Sequence, residues 1–175
     1  MTPSCHVVAP IRRSKEIKAV CAALHAQVER GLIRGFQEGK LRVGRMNIDI
    51  DWPDGAASRL RIDIEAATLT FAGMLDASSG SAIHRELKTL LRAVQGHSAE
   101  LHHLHIDPAK AMLRMVEQGG KLSLAIIVTS GEYEYCAHRL IELAHEALAL
   151  LLERKLADAY HPVALTAARS RESTV

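Results

Sequence analysis

The 175-residue chain is poor in aromatic residues, which make up 3% of it, with one Trp, three Tyr and two Phe. Binders of single-stranded nucleic acid stack bases on aromatic side chains, so that class is disfavoured at once. Charge of one sign is lacking too. The 22 Lys and Arg stand against 20 Asp and Glu, whereas an electrostatic nucleic-acid binder shows a basic excess or stripe. Long apolar runs are missing. The longest apolar-rich stretch, Ala144–Leu152, is broken by Glu146 and falls well below the ~20 residues of a membrane-crossing helix. Met1 to Pro10 lack the apolar centre of a secretory signal. Cys5, Cys21 and Cys136 are odd in number and have no metal-ligand spacing. The expectation is therefore a cytoplasmic protein with reduced thiols, no membrane span and no nucleic-acid partner. G-x-S-x-G, G-x-G-x-x-G and P-loop motifs are also absent, which removes the nucleophile elbow and the common phosphate cradles.

What is present is a globular composition, with 48% hydrophobic residues and length for about one domain. Residues 1–13 read as an arm, 14–160 as a single α/β-type domain and 161–175 as a polar tail. Ser14 caps a helix whose apolar positions are Ile17, Val20, Cys21, Leu24, Val28 and Leu32, a 3.6-residue stripe. Met46, Ile48, Ile50 and Trp52 alternate with polar residues, and so do Leu60, Ile62 and Ile64, with Pro53-Asp54-Gly55 between them. This is a hairpin. Phase shifts point to a bulge at Gly44 and to a bulge or a new strand at Ala66-Ala67. A second helix starts near Ser79 or Ser81 and stops at Gly96. Segment 98–106 is open between strand and helix. Asp107-Pro108 reads as a helix start, with that helix ending at Gly119-Gly120. The apolar run Leu122–Val128 reads as a central strand. A last helix runs from about Glu132 to Ala159. The fold class is α+β: a mixed sheet of about four or five strands, an N-terminal antiparallel hairpin, helices mainly on one face, and a parallel crossover if 101–106 is a strand.

Two clusters suggest chemistry. Asp49, Asp51, Asp63 and Glu65 share one hairpin face, as a divalent cation would require. A five-residue loop, 53–57, sets Asp49 opposite Arg61, Asp51 opposite Arg59 and Arg45 opposite Glu65. Such a charge ladder accounts for the carboxylates without a metal. The chain also has ten His, with His97, His102, His103 and His105 close together. Glu100, His102, His103 and His105 form the alternative metal site, for a divalent transition metal. Glu-x-x-His spacings at Glu100–His103 and Glu142–His145 would place a carboxylate and an imidazole on one helix face. His84 near Glu86 and His138 near Glu142 read as solvated or capping histidines.

The segment Leu69-Thr70-Phe71-Ala72-Gly73-Met74-Leu75-Asp76-Ala77-Ser78-Ser79 leads into a helix with Leu87, Leu90 and Leu91 and a strand ending at Asp107. This order resembles STAS domains, the fold of anti-sigma-factor antagonists, over about residues 59–107. The resemblance implies a regulatory protein-binding role. The family's phosphorylation loop would fall at Asp107-Pro108-Ala109-Lys110, where no serine stands, so phospho-switching is not implied.

The resulting expectation is a small regulatory or adaptor protein, not catalytic, acting through protein–protein contacts as a homodimer. Its expected interface is the wide apolar stripe of the last helix, Leu140, Leu143, Ala144, Leu148, Leu151 and Leu152. The alternative is a metal-binding protein or metal-dependent enzyme using residues 97–105.

Overall fold

The computed structural model describes residues 14–76, 81–96 and 104–169, with backbone only at 76, 151 and 154–169. The elements are α1 (Lys15–Glu29), β1 (Gly35–Glu38), β2 (Arg45–Asp51), β3 (Ala57–Asp63), β4 (Thr68–Asp76), α2 (Ala82–Gln95), β5 (Ala111–Gln118), β6 (Lys121–Val128) and α3 (Tyr133–Arg169). The class is α+β, with a long C-terminal helix. The sheet has six strands in the order β1-β2-β3-β4-β6-β5, and every neighbouring pair is antiparallel.

Strand alternation sorts the residues onto two faces. Ile48, Ile50, Leu60, Ile62, Leu69, Phe71, Leu124 and Ile126 are fully buried beneath the helices. Asp49, Arg59, Arg61, Met112, Arg114 and Val116 point to solvent on the other face. Ile17, Val20, Ala23 and Leu24 of α1 join Cys136, Ala137, Leu140, Ile141 and Ala144 of α3 in the same core. Ser14 and Ser81 cap α1 and α2, their hydroxyls accepting from the Ile17 and His84 N–H groups at 3.3 and 3.2 Å.

The β2–β3 hairpin forms, but its register differs from expectation by two residues. Asp49 faces Arg59, Asn47 faces Arg61, Asp51 faces Ala57 and Arg45 faces Asp63. The turn is the cause. Trp52 N–H donates to the Ala56 carbonyl at 2.9 Å, Gly55 N–H to Trp52, and the Asp54 carboxylate accepts from Ala56 N–H. That closes a three-residue loop, with Gly55 at φ +86, in place of the five-residue loop expected.

Gly44 is not a bulge. Arg42 and Arg45 exchange backbone hydrogen bonds at 2.8 Å around Val43 and Gly44, both at positive φ. The strand before this turn is β1, which the sequence pattern had not indicated. At Ala66-Ala67 the chain does turn into a new strand, β4. The largest correction lies at 108–118, where no helix forms. The Asp107 carboxylate accepts from Ala109 N–H at 2.9 Å, and the Asp107 carbonyl accepts from Lys110 and Ala111. One turn forms, and the chain then extends into β5. Gly119 and Gly120, at φ +60 and +76, close a two-residue turn between Gln118 and Lys121. β6 is thus central, and the described residues form no parallel crossover. Residues 105–107 are outside any strand, and 97–103 lie outside the described residues. α3 continues to Arg169, beyond the expected tail boundary at 161.

Candidate functional site

The densest polar network joins the end of α1 to the middle of α3. Gln27 occupies a position on α1's apolar stripe and is completely buried. Its Nε2 lies 2.9 Å from His138 Nδ1, and its Oε1 accepts from Arg30 Nη1 at 3.2 Å. Arg30 also donates to Glu142 Oε1 at 2.7 Å. The other oxygen of Glu142 accepts from Arg139 Nη1 at 3.0 Å. Arg139 lies over the Tyr135 ring, 5.5 Å from its centroid. One carboxylate thus receives two guanidinium groups, an arrangement that fixes both arginines against α3.

Beside this network is a cleft of about 490 Å³, lined by Arg30, Leu32, Leu104, Arg139, Glu142, His145 and Glu146. A smaller groove of about 120 Å³ follows along the same helix, lined by Trp52, Pro53, Asp54, His145, Leu148, Ala149 and Leu152. His145 belongs to both. Its ring lies 6.3 Å from that of Trp52, whose Nε1–H donates to Ser58 Oγ at 2.8 Å. The two arginines and two glutamates of the cleft balance in formal charge. The groove is an apolar shelf edged by Asp54 and His145.

The residues singled out from the sequence separate in space. Leu140, Leu143 and Ala144 are buried in the chain's own core. α1 and the sheet already cover the stripe there, leaving no surface for a second molecule. Leu148 is half-buried and Leu152 is 43% exposed, and both line the groove. The side chain of Leu151 lies outside the described residues. His105 Nδ1 is 3.3 Å from the Gly96 carbonyl. Glu100, His102 and His103 lie outside the described residues, and so does His97. Among the described residues no group of three or more His, Cys, Asp or Glu is arranged to hold a metal ion. In the Glu142–His145 pair the carboxylate is taken by Arg30 and Arg139.

Two of the four hairpin carboxylates form ion pairs, Asp49 with Arg59 and Asp63 with Arg45, each at 2.7 Å. The Ala66 N–H and then Arg45 hold the Asp63 carboxyl below the usual carboxylate range. His84 is buried, both its ring nitrogens lack a hydrogen bond among the described residues, and Glu117 Oε2 is 3.6 Å from its Nδ1.

Thiol chemistry finds no support at Cys136. Burial pushes this thiol up to about 11, so it stays protonated and un-nucleophilic near neutrality. Its S–H donates to the Lys110 carbonyl at 3.8 Å.

Sequence reasoning missed Gln27 and Arg30 as members of the network. The signal was available: Gln27 falls three residues after Leu24 and one before Val28, a polar residue in the buried stripe of a helix, where it must find a partner. Among the described residues no helix is long and apolar enough to cross a membrane. Comparison of the chain with family models, curated proteins and solved structures finds no match.

Proposed function

We propose that this is a small cytoplasmic regulatory or adaptor protein that holds an apolar segment of a partner protein along α3. One observation carries the reading: the groove lined by Trp52, Leu148 and Leu152 shares His145 with the larger cleft, and along it the α3 stripe passes from half-buried Leu148 to exposed Leu152. The chemistry of the lining supports it. Balanced charges in the cleft offer no excess cation for a phosphorylated ligand, while an aromatic and aliphatic shelf with a polar edge is the composition of a protein-binding surface.

The test is photo-crosslinking in cells from a reactive residue placed at Leu152. The captured protein is identified by mass spectrometry, purified, and titrated against the wild type and Leu148→Glu. Loss of tenfold or more in affinity on Leu148→Glu supports the groove. Equal binding by both proteins overturns it.

A further inference from the structure

The two edges of the sheet differ. β1 has four residues, begins at Gly35 and is followed by Gly39. Short edges of this kind discourage pairing with other chains. β5 has eight residues, contains no proline, glycine or lysine, and keeps a regular register against β6.

Its hydrogen bonds tell which groups face outward. The Lys110 carbonyl accepts from Thr129 N–H on the β6 side, whereas Ala111 N–H turns to the Asp107 carbonyl, each at 3.0 Å. Antiparallel alternation therefore points the backbone groups of the odd-numbered β5 residues away from β6. On that row the Leu113 carbonyl accepts from Gln95 Nε2 at 3.0 Å. The N–H of Leu113 and both backbone groups of Met115 have no partner among the described residues.

We propose that β5 pairs antiparallel with β5 of a second copy about a two-fold axis at Met115, making one continuous sheet. Charge and geometry select this register. An axis at Arg114 would set that arginine against its own copy, and an axis at Glu117 would do the same for the glutamate; like charges directly opposite destabilise a ladder. An axis at Leu113 sets Met115 against Ala111, whose N–H already goes to the Asp107 carbonyl. An axis at Val116 brings the Gly119-Gly120 turn opposite Leu113 and shortens the ladder. At Met115 all of 112–118 is opposed. Arg114 then faces Val116 of the second copy and Met112 faces Gln118, with no like charges in contact. Met112 and Val116, about half exposed in the single chain, gain cover on the open face.

Light scattering of the full chain at high concentration is expected to give about 38 kDa, twice the 19.1 kDa of one chain. Val116→Lys sets a cation opposite Arg114 twice per dimer and is expected to weaken association about tenfold, and Val116→Glu to tighten it by a similar factor. Both changes fall on an exposed face, so circular dichroism should stay at wild type. Met115→Pro removes an N–H that no described residue of the single chain uses and is expected to give the single-chain mass. A single-chain mass for the wild type overturns the proposal. Weakening by Val116→Glu as well as Val116→Lys overturns the register, and a dimer that none of the three variants changes overturns the interface. The groove on α3 is read through Leu148, so either reading can fail alone.

Discussion

Gln27 and His138 are 111 positions apart in sequence, yet the amide Nε2 of one lies 2.9 Å from the ring Nδ1 of the other. Gln27 is fully enclosed, so removing its amide leaves His138 without this partner. Gln27→Leu is expected to lower stability by about 1–3 kcal/mol, the usual penalty for orphaning a buried polar group. Urea unfolding measures it. Adding His138→Leu should recover part of the loss, because both polar groups are then gone.

Glu142 holds Arg30 and Arg139 together, and its side chain is 14% exposed while Arg30 is 54% exposed. Glu142→Ala leaves two cations facing one another across the α1–α3 junction. The expected cost is about 1–2 kcal/mol at low salt, falling as salt screens the repulsion. Denaturation midpoints at two ionic strengths check both parts.

Trp52 is the only tryptophan, is buried, and donates to Ser58 Oγ. Ser58→Ala should cost about 1 kcal/mol by orphaning the indole N–H. The same tryptophan reports on the groove. Its emission is expected to change when a partner segment binds and to stay constant in Leu148→Glu under the same titration.

Cys136 gives the chain an alkaline limit. Burial first, and then Glu132, raise the folded thiol from 9.0 to about 11. The folded state therefore holds this proton more tightly than the unfolded state. Stability is fully present below pH 9 and falls between 9 and about 11, by about 2–3 kcal/mol if no other group contributed. Burial raises Tyr133 as well, which adds a slope of the same sign. Cys136→Ala should flatten the pH 9–11 decline in unfolding free energy without abolishing it; an unchanged slope would contradict the assignment.

The features legible in the sequence were those set by local chemistry. Ser14 caps α1 as its position suggests, Ser81, one of the two serines offered as the start of α2, caps that helix, and the alternation from Met46 to Trp52 makes a strand. The hairpin register was not legible, because the ladder is degenerate. With Asp49 and Asp51 opposite Arg59 and Arg61, a slip of two residues still leaves opposite charges in contact, and the turn at Pro53-Asp54-Gly55 decides. β5 was misread because Ala, Met, Leu, Glu and Gln favour helices and Asp107-Pro108 imitates a helix start. Pairing with β6 overrides that preference, and Gly119-Gly120, a two-residue hairpin turn, was the contrary signal. At the site, the α3 stripe could be read as apolar. Which of its residues the chain itself would cover depended on α1 folding back more than a hundred residues along the sequence.

The sheet order places β6, residues 121–128, between β4 and β5, and α1 packs on α3, the last element of the chain. α1 therefore meets its partner helix more than a hundred residues further along the chain, and β4 gains its second neighbour only across the whole of α2 and β5. Contacts of such long sequence separation carry a large loop-closure cost and slow the search for the native topology.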